Sequence, residues 1–173
     1  MAIKANDSRL LELEEVRRNI FCRGGIASAY AFEPVIPLSV RDRPQEKEPF
    51  LPYSRKLRGA DRRSLEFGSL SYSSATLFFP LLSLNVYDTF RSLAGALETS
   101  ESITLHPESP LPLPGIFIAA GTSEELFPAP EAAKPWKSYK LAEYRLEWKE
   151  KEGEAWWKNC SWEEVWELSI RRS

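Results

Sequence analysis

Thirteen prolines stand against eight glycines in this chain of 173 residues, and all but Pro80 fall in three clusters, at 34–52, 107–114 and 128–135. Proline fixes φ and removes an amide donor, so these stretches cannot supply helix interiors or central strands. They favour extended, polyproline-like backbone, and their poverty in glycine separates them from flexible linkers. Regular elements must therefore lie between the clusters, with the clusters as stiff arms and long loops around them.

The spaces between clusters hold recognisable periodicities. NDSRLLELEEVRRNIFCRGG reads as a first helix, capped by Asn6, Asp7 or Ser8, with Leu10, Leu13, Arg17 and Ile20 on one stripe and Leu11 beside them. Glu14 and Arg18 form an i,i+4 pair, and Gly24-Gly25 ends the helix. No strand is expected before this Gly-Gly and no Gly-Lys-Ser/Thr follows it, so it is not read as a phosphate loop. SLSYSSATLFFP alternates Leu70, Tyr72, Ser74, Thr76 and Phe78 and reads as one strand ending at Pro80. NVYDTFRSLAGALETS places Val86, Phe90, Leu93 and Leu97 on one helical stripe, capped by Ser83 or Asn85. ESITLHP and GIFIAAG read as strands, TSEEL as one capped helical turn, and Val35–Val40 as a short edge strand.

From Trp136 onward the composition changes. Residues 139–149 alternate with period two, with Tyr144, Leu146 and Trp148 between charged neighbours, and predict a strand. AWWKNC is its expected returning partner. SWEEVWELSI carries two patterns: Trp162, Val165 and Trp166 fit a helix opened by Ser161 and Glu164, while Trp166, Leu168 and Ile170 alternate as a strand. The expectation is a short helix running into an extended end.

Charge and cysteine usage narrow the function classes. With 23 basic and 25 acidic side chains the net charge is −2, which leaves no global field to draw in nucleic acid or an anionic membrane. The dense basic run, RKLRGADRR at 55–63, has no interleaved aromatics and reads as a solvated turn or a contact with an acidic neighbour. Cys22 and Cys160 form no Cys-x-x-Cys and are expected to be reduced thiols. The opening MAIKANDSRLLELEE lacks the apolar stretch of a signal peptide, and no apolar run approaches a membrane span, so synthesis in the cytoplasm as a soluble protein is expected.

Chemistry-bearing constellations are sparse. The single histidine, His106, has no Gly-x-Ser-x-Gly and no placed cysteine to serve as nucleophile partner. Glutamates crowd the tryptophans of the tail, which is the raw material of a glycan site, but they alternate with Lys and Arg as an exposed strand face does. No catalytic, cofactor-binding or metal-ligating residue is assigned.

Five of the six tryptophans, Trp148, Trp156, Trp157, Trp162 and Trp166, fall within nineteen residues. Trp156 and Trp157 are adjacent, so on a strand they point to opposite faces and cannot share one core. Trp, Tyr and Arg are the residues enriched at protein interfaces. The expected interface set is therefore Phe50, Tyr53, Arg55, Arg58, Arg62, Trp148, Trp156, Trp157, Trp162 and Trp166.

These readings combine into an α+β fold with a mainly antiparallel sheet, about two helices and long Pro-rich extended arms. The chain is expected to be a single domain over 1–173, with an extended basic arm at 25–64 and an aromatic-rich C-terminal region at 136–173. The function expected is that of a non-enzymatic structural subunit of a large assembly, needing no cofactor. Its partners would be other protein subunits, including copies of itself, and nucleic acid is not expected among them. By analogy of architecture the assembly is a virion, with the chain in a phage tail, neck or baseplate. A carbohydrate-binding module using exposed tryptophans, and a small enzyme using His106, are the competing expectations.

Overall fold

The structure is a computed structural model and describes residues 1–24, 33–38, 64–73, 76–96, 114–120, 133–148 and 160–170. Nine elements follow in chain order: β1 (Ala2–Ala5), α1 (Asp7–Gly24), β2 (Val35–Pro37), β3 (Ser71–Ser73), β4 (Thr76–Pro80), α2 (Leu84–Ala96), β5 (Gly115–Ala120), β6 (Tyr139–Trp148) and β7 (Cys160–Ile170). They build two antiparallel sheets, one in the order β2-β1-β6-β7 and the other β3-β4-β5. The fold is α+β, with two helices and two antiparallel sheets among the described residues.

One core joins the sheets and helices. It gathers Ile3 and Ile36 from the first sheet, Leu77, Phe79, Ile116 and Ile118 from the second, Leu13 and Ile20 from α1, and Val86 and Phe90 from α2. The α1 stripe reaches this core as its spacing predicts: Leu13, Arg17 and Ile20 are buried, whereas Leu11 points into solvent at 72% exposure. Arg17 pairs with Glu14 one turn earlier. Asn6 caps the helix, since its carbonyl accepts the amides of Arg9 and Leu10. The Asn6 side chain donates to the Ser138 hydroxyl, which ties the start of α1 to the start of β6.

Ser83 opens α2 in a different way from an ordinary cap. Its carbonyl accepts the amides of Val86 and Tyr87, but its hydroxyl is turned away from the helix. That hydroxyl accepts the Glu66 amide at 2.9 Å and donates to the Ser64 carbonyl at 3.2 Å. The segment 64–68 is thereby stitched to the helix start, and it also bridges Leu65 to Trp136 and Phe67 to Leu81. Trp136, 1% exposed, sits at this junction with its ring centroid 5.0 Å from that of Phe67.

Gly115 shows why one position in β5 must lack a side chain. A Cβ there would stand 2.4 Å from the Phe79 carbonyl oxygen, a backbone atom that cannot move aside without opening the β4–β5 pair.

Two strand expectations change. The stretch 69–80 is not one strand but two antiparallel ones, β3 and β4, with Ser73 opposite Thr76. Thr76, Leu77, Phe78 and Phe79 are all buried, so β4 lies inside its sheet and pairs on both sides, with β3 and with β5. Alternation cannot distinguish one long strand from two short ones folded back, because both keep period two.

The stretch 161–170 is not a helix running into an extended end. It is strand throughout, paired with β6 from Trp148↔Cys160 to Tyr139↔Ile170. The helix-like spacing has a specific cause. Glu143 faces Trp166 and Tyr144 faces Glu164, so Val165 is an extra residue on β7, a β-bulge. A bulge offsets the alternation by one, and apolar positions then recur at intervals that imitate a helical stripe.

Val35–Pro37 pairs with β1 at the outer edge of the first sheet, where proline is tolerated. The expected strand at ESITLHP, the turn at TSEEL, the basic run 55–63 and His106 lie outside the described residues.

Candidate protein interface at the β6–β7 ribbon

Among the described residues β6 and β7 form the longest paired ribbon, with ten and eleven residues. Its two ends differ in surroundings. Near Tyr139, Leu141 and Glu143, β6 is buried, and opposite them Trp166 and Leu168 of β7 pack against the core. Toward the other end Arg145, Glu147, Ser161 and Glu163 are exposed. The ribbon therefore starts over the core and extends beyond it.

The bulge distributes the tryptophans. Directly opposed residues share a face, so Trp166 lies on the core face with Glu143 and Leu141. Beyond Val165 the faces exchange. Trp162, opposite Leu146, lies on the outer face with Tyr144, Ala142 and Lys140. In a regular strand, residues four apart would point the same way. Trp162 is half-buried and meets Tyr144 edge to face, with centroids 5.9 Å apart at 74°.

A network of ion pairs covers this outer face. Lys4 of β1 binds Glu164 and reaches Glu167 at 3.7 Å. Lys140 of β6 donates to both oxygens of Glu167 at 2.8 and 3.0 Å. Farther along the ribbon, on its other face, Arg145 donates to Glu163 at 2.9 Å.

The electrostatics follow from this packing. The hydrogen bond from Lys140 holds the Glu167 carboxyl below its ordinary value, against partial burial and with help from the charges of Lys140 and Lys4. Burial disfavours the Lys4 ammonium, but the hydrogen bond to Glu164 and the charges of Glu164, Glu167 and Glu33 outweigh it and raise its pKa. Burial, followed by the negative charges of Glu164 and Glu33, pushes the Tyr144 phenol upward, so it stays neutral at all ordinary pH. The outer face thus sets two cations, Lys4 and Lys140, against two carboxylates, Glu164 and Glu167, beside a neutral phenol.

On the core face, Glu143 is 3% exposed, and its Oε2 lies 3.3 Å from the Met1 ammonium. This buried pair joins the start of β1 to the middle of β6. A buried ion pair adds little net stability, but removing one partner strands the other.

The outer side of β7 has no strand beside it among the described residues. An edge strand offers a row of backbone donors and acceptors to another chain, and proteins commonly shorten or bulge such edges. At 11 residues, about 36 Å at strand rise, β7 is long for an edge. Its bulge interrupts the edge at one point, and Val165 there is 39% exposed.

A concavity of about 300 Å³ lies beside α1 and is lined by Leu13, Val16, Phe79 and Trp136 together with the charged Arg9, Glu12 and Lys134. Glu12 accepts from Arg9 at 2.7 and 2.8 Å and from Lys134 at 3.1 Å. The hydrogen bond from Arg9, then that from Lys134, keeps its carboxyl below the ordinary value. Among the described residues no three His, Cys, Asp or Glu side chains converge to hold a metal ion. No helix among them is long and apolar enough to cross a membrane.

Of the residues expected at an interface, Trp162 and Trp166 lie on β7, and Trp148 ends β6 opposite Cys160. Phe50, Tyr53, Arg55, Arg58, Arg62, Trp156 and Trp157 lie outside the described residues. Sequence reasoning missed the ion-pair partners Lys4 and Lys140, because it placed no strand at Ala2–Ala5. Comparison with protein-family models, with curated proteins and with solved structures finds no match for this chain.

Proposed function

We propose that the chain is a non-enzymatic structural subunit of a protein assembly, of the kind that builds virion tails, necks and baseplates, and that it docks through the β6–β7 ribbon. The observation that carries this reading is the long outer strand β7, which extends past the core and bears half-buried tryptophans on both faces. Backbone donors on such an edge supply affinity, and alternate side chains supply specificity. The tryptophans supply the large, rigid contact area that dominates interface energetics. The surrounding charges are consumed within the face, which suits a scaffold more than a reaction centre.

Deleting the tail after Gly153 is a poor test, because it removes β7 and strips β6 and the core of Trp166 and Leu168. The usable change is at the exposed bulge residue. Val165→Lys places a charge on the edge without entering the core. Light scattering after size exclusion should show the full chain associating and Val165→Lys weakening that association, with an unchanged circular dichroism spectrum. A chain whose association is indifferent to charges along β7 would remove the support for docking there.

A further inference from the structure

We infer that β7 pairs antiparallel with β7 of a second copy, about a two-fold axis at Leu168. This rests on the reading that the β6–β7 ribbon is a docking surface, and it names the occupant of the edge.

Charge decides first between kinds of partner. β7 bears Glu163, Glu164 and Glu167 and no basic residue, which at first sight calls for a basic strand. Each glutamate, however, is already held from the inner side: Glu163 by Arg145, Glu164 by Lys4, and Glu167 by Lys140. The three glutamates of β7 are thus neutralised from the inner side, and a basic strand would have to compete with pairs already formed. A neutral edge fits a neutral edge, and a second copy provides one.

Geometry then decides the register. Opposed residues in an antiparallel pair point to the same face, so a two-fold axis normal to the sheet sets one residue opposite its own copy. Axes at Glu163, Glu164 or Glu167 oppose a glutamate to itself. An axis at Val165 opposes Glu163 to Glu167 twice. An axis at Trp166 carries both bulges into the new ladder. Axes at Trp162 and Leu168 avoid both problems. The axis at Leu168 brings Trp166 and Leu168 of both copies into one continuous apolar face, because these two residues already pack against the core. The axis at Trp162 joins only the ends that extend beyond the core. At Leu168, position 166 meets 170 and Glu167 meets Ser169. The product is an eight-stranded sheet, with the four-stranded sheets of two copies joined edge to edge.

The test uses the full chain with Cys22→Ser and Cys160→Ser. Leu168→Cys places two thiols on the axis, about 4.5–5.5 Å apart between Cα atoms, which is disulfide range. Mild oxidation should cross-link Leu168→Cys to itself and leave Glu164→Cys monomeric on a non-reducing gel. Should Leu168→Cys fail to fold, an equimolar mixture of Glu167→Cys and Ser169→Cys should cross-link as a mixed dimer. Ser169→Glu opposes two carboxylate pairs and should weaken the dimer roughly 2- to 30-fold, from about 0.2–1 kcal/mol per like-charged pair. A monomer at every concentration overturns the inference. An oligomer that is insensitive to Ser169→Glu and does not cross-link at 168 overturns self-pairing while leaving the assembly reading standing.

Discussion

Trp136→Ala is expected to be among the most damaging single substitutions in this fold. Trp136 is 1% exposed, exchanges two backbone hydrogen bonds with Leu65 at 2.9 and 3.0 Å, and stacks at a tilt on Phe67. It holds the segment 64–68 to the start of β6, and that same segment clasps the first turn of α2 through Ser83. Truncating a buried Trp or Phe to Ala typically costs about 3–5 kcal/mol, and the lost ring pair falls within that sum. Against a usual domain stability of about 5–15 kcal/mol this is a large share. For a chain of this size it corresponds to a melting point lower by roughly 6–20 °C. Thermal and urea unfolding followed by far-ultraviolet circular dichroism would measure it. Trp162→Ala provides the contrast: a half-buried ring, edge to face with Tyr144, should cost about 1–2 kcal/mol. Equal losses at the two positions, or a Trp136→Ala melting point within about 2 °C of the parent, would refute the placement of Trp136 as the core tryptophan and Trp162 as a surface one.

Gly115→Ala should cost about 1–3 kcal/mol in urea unfolding, since its Cβ would collide with the Phe79 carbonyl inside the β4–β5 pair. Glu143→Leu should cost about 3–5 kcal/mol, because it leaves the Met1 ammonium buried without its carboxylate; a neutral outcome would show that the pair is not formed in solution. The Glu167 carboxyl titrates below its ordinary value of 4.5 when folded, so its contribution is present above that pH and is lost as pH falls through the depressed value. Glu167→Gln should therefore be less stable than the parent at neutral pH, and the gap should close under acid; a gap constant with pH would contradict the Lys140 pairing. Deleting Val165 alone keeps Glu164 opposite Tyr144 and Trp166 opposite Glu143, so the variant should fold to within about 1 kcal/mol of the parent, whereas deleting Glu167 turns Trp166 or Leu168 off the core face and should cost more than the Val165 deletion.

Elements whose apolar spacing matched their burial were legible from the sequence. The stripe of Leu13, Arg17 and Ile20 gave α1, Val86 and Phe90 gave α2, and the alternation from Tyr139 to Trp148 gave β6. β1 was not legible. AIKA is too short to display a period, and its strand character comes from β2 and β6 pairing on either side of it. β3 was absorbed into its neighbour for the same reason, since three residues carry no period of their own. The core role of Trp136 left no mark either, because an isolated tryptophan beside a proline has no neighbours whose spacing reveals a buried face. Of the interface set, the sequence could mark aromatic content but not direction: whether Trp162 and Trp166 share a face depends on Val165 being bulged out of the ladder, and composition does not reveal that.

That extra residue links the fold to the reading of its edge. Were Val165 held in regular alternation rather than as a bulge, Trp162 and Trp166 would fall on the same face, and the outer aromatic would lie on the core side of the ribbon, beyond the reach of the core. With it, the strand has two segments of different character. The segment from Trp166 onward is regular, with Trp166 and Leu168 anchored on the core, while 160–164 project with an aromatic turned to the outer face beside Tyr144. A bulge also increases local twist and interrupts the outer ladder, so the two segments cannot be covered by a single straight partner strand. Any strand that docks on β7 must therefore choose one segment. The segment that already shares the core has the apolar surface to reward it, whereas the projecting one has charge pairs that a partner would disturb. The division that confuses a helix with a strand in the sequence is thus the one that limits where a second chain can attach.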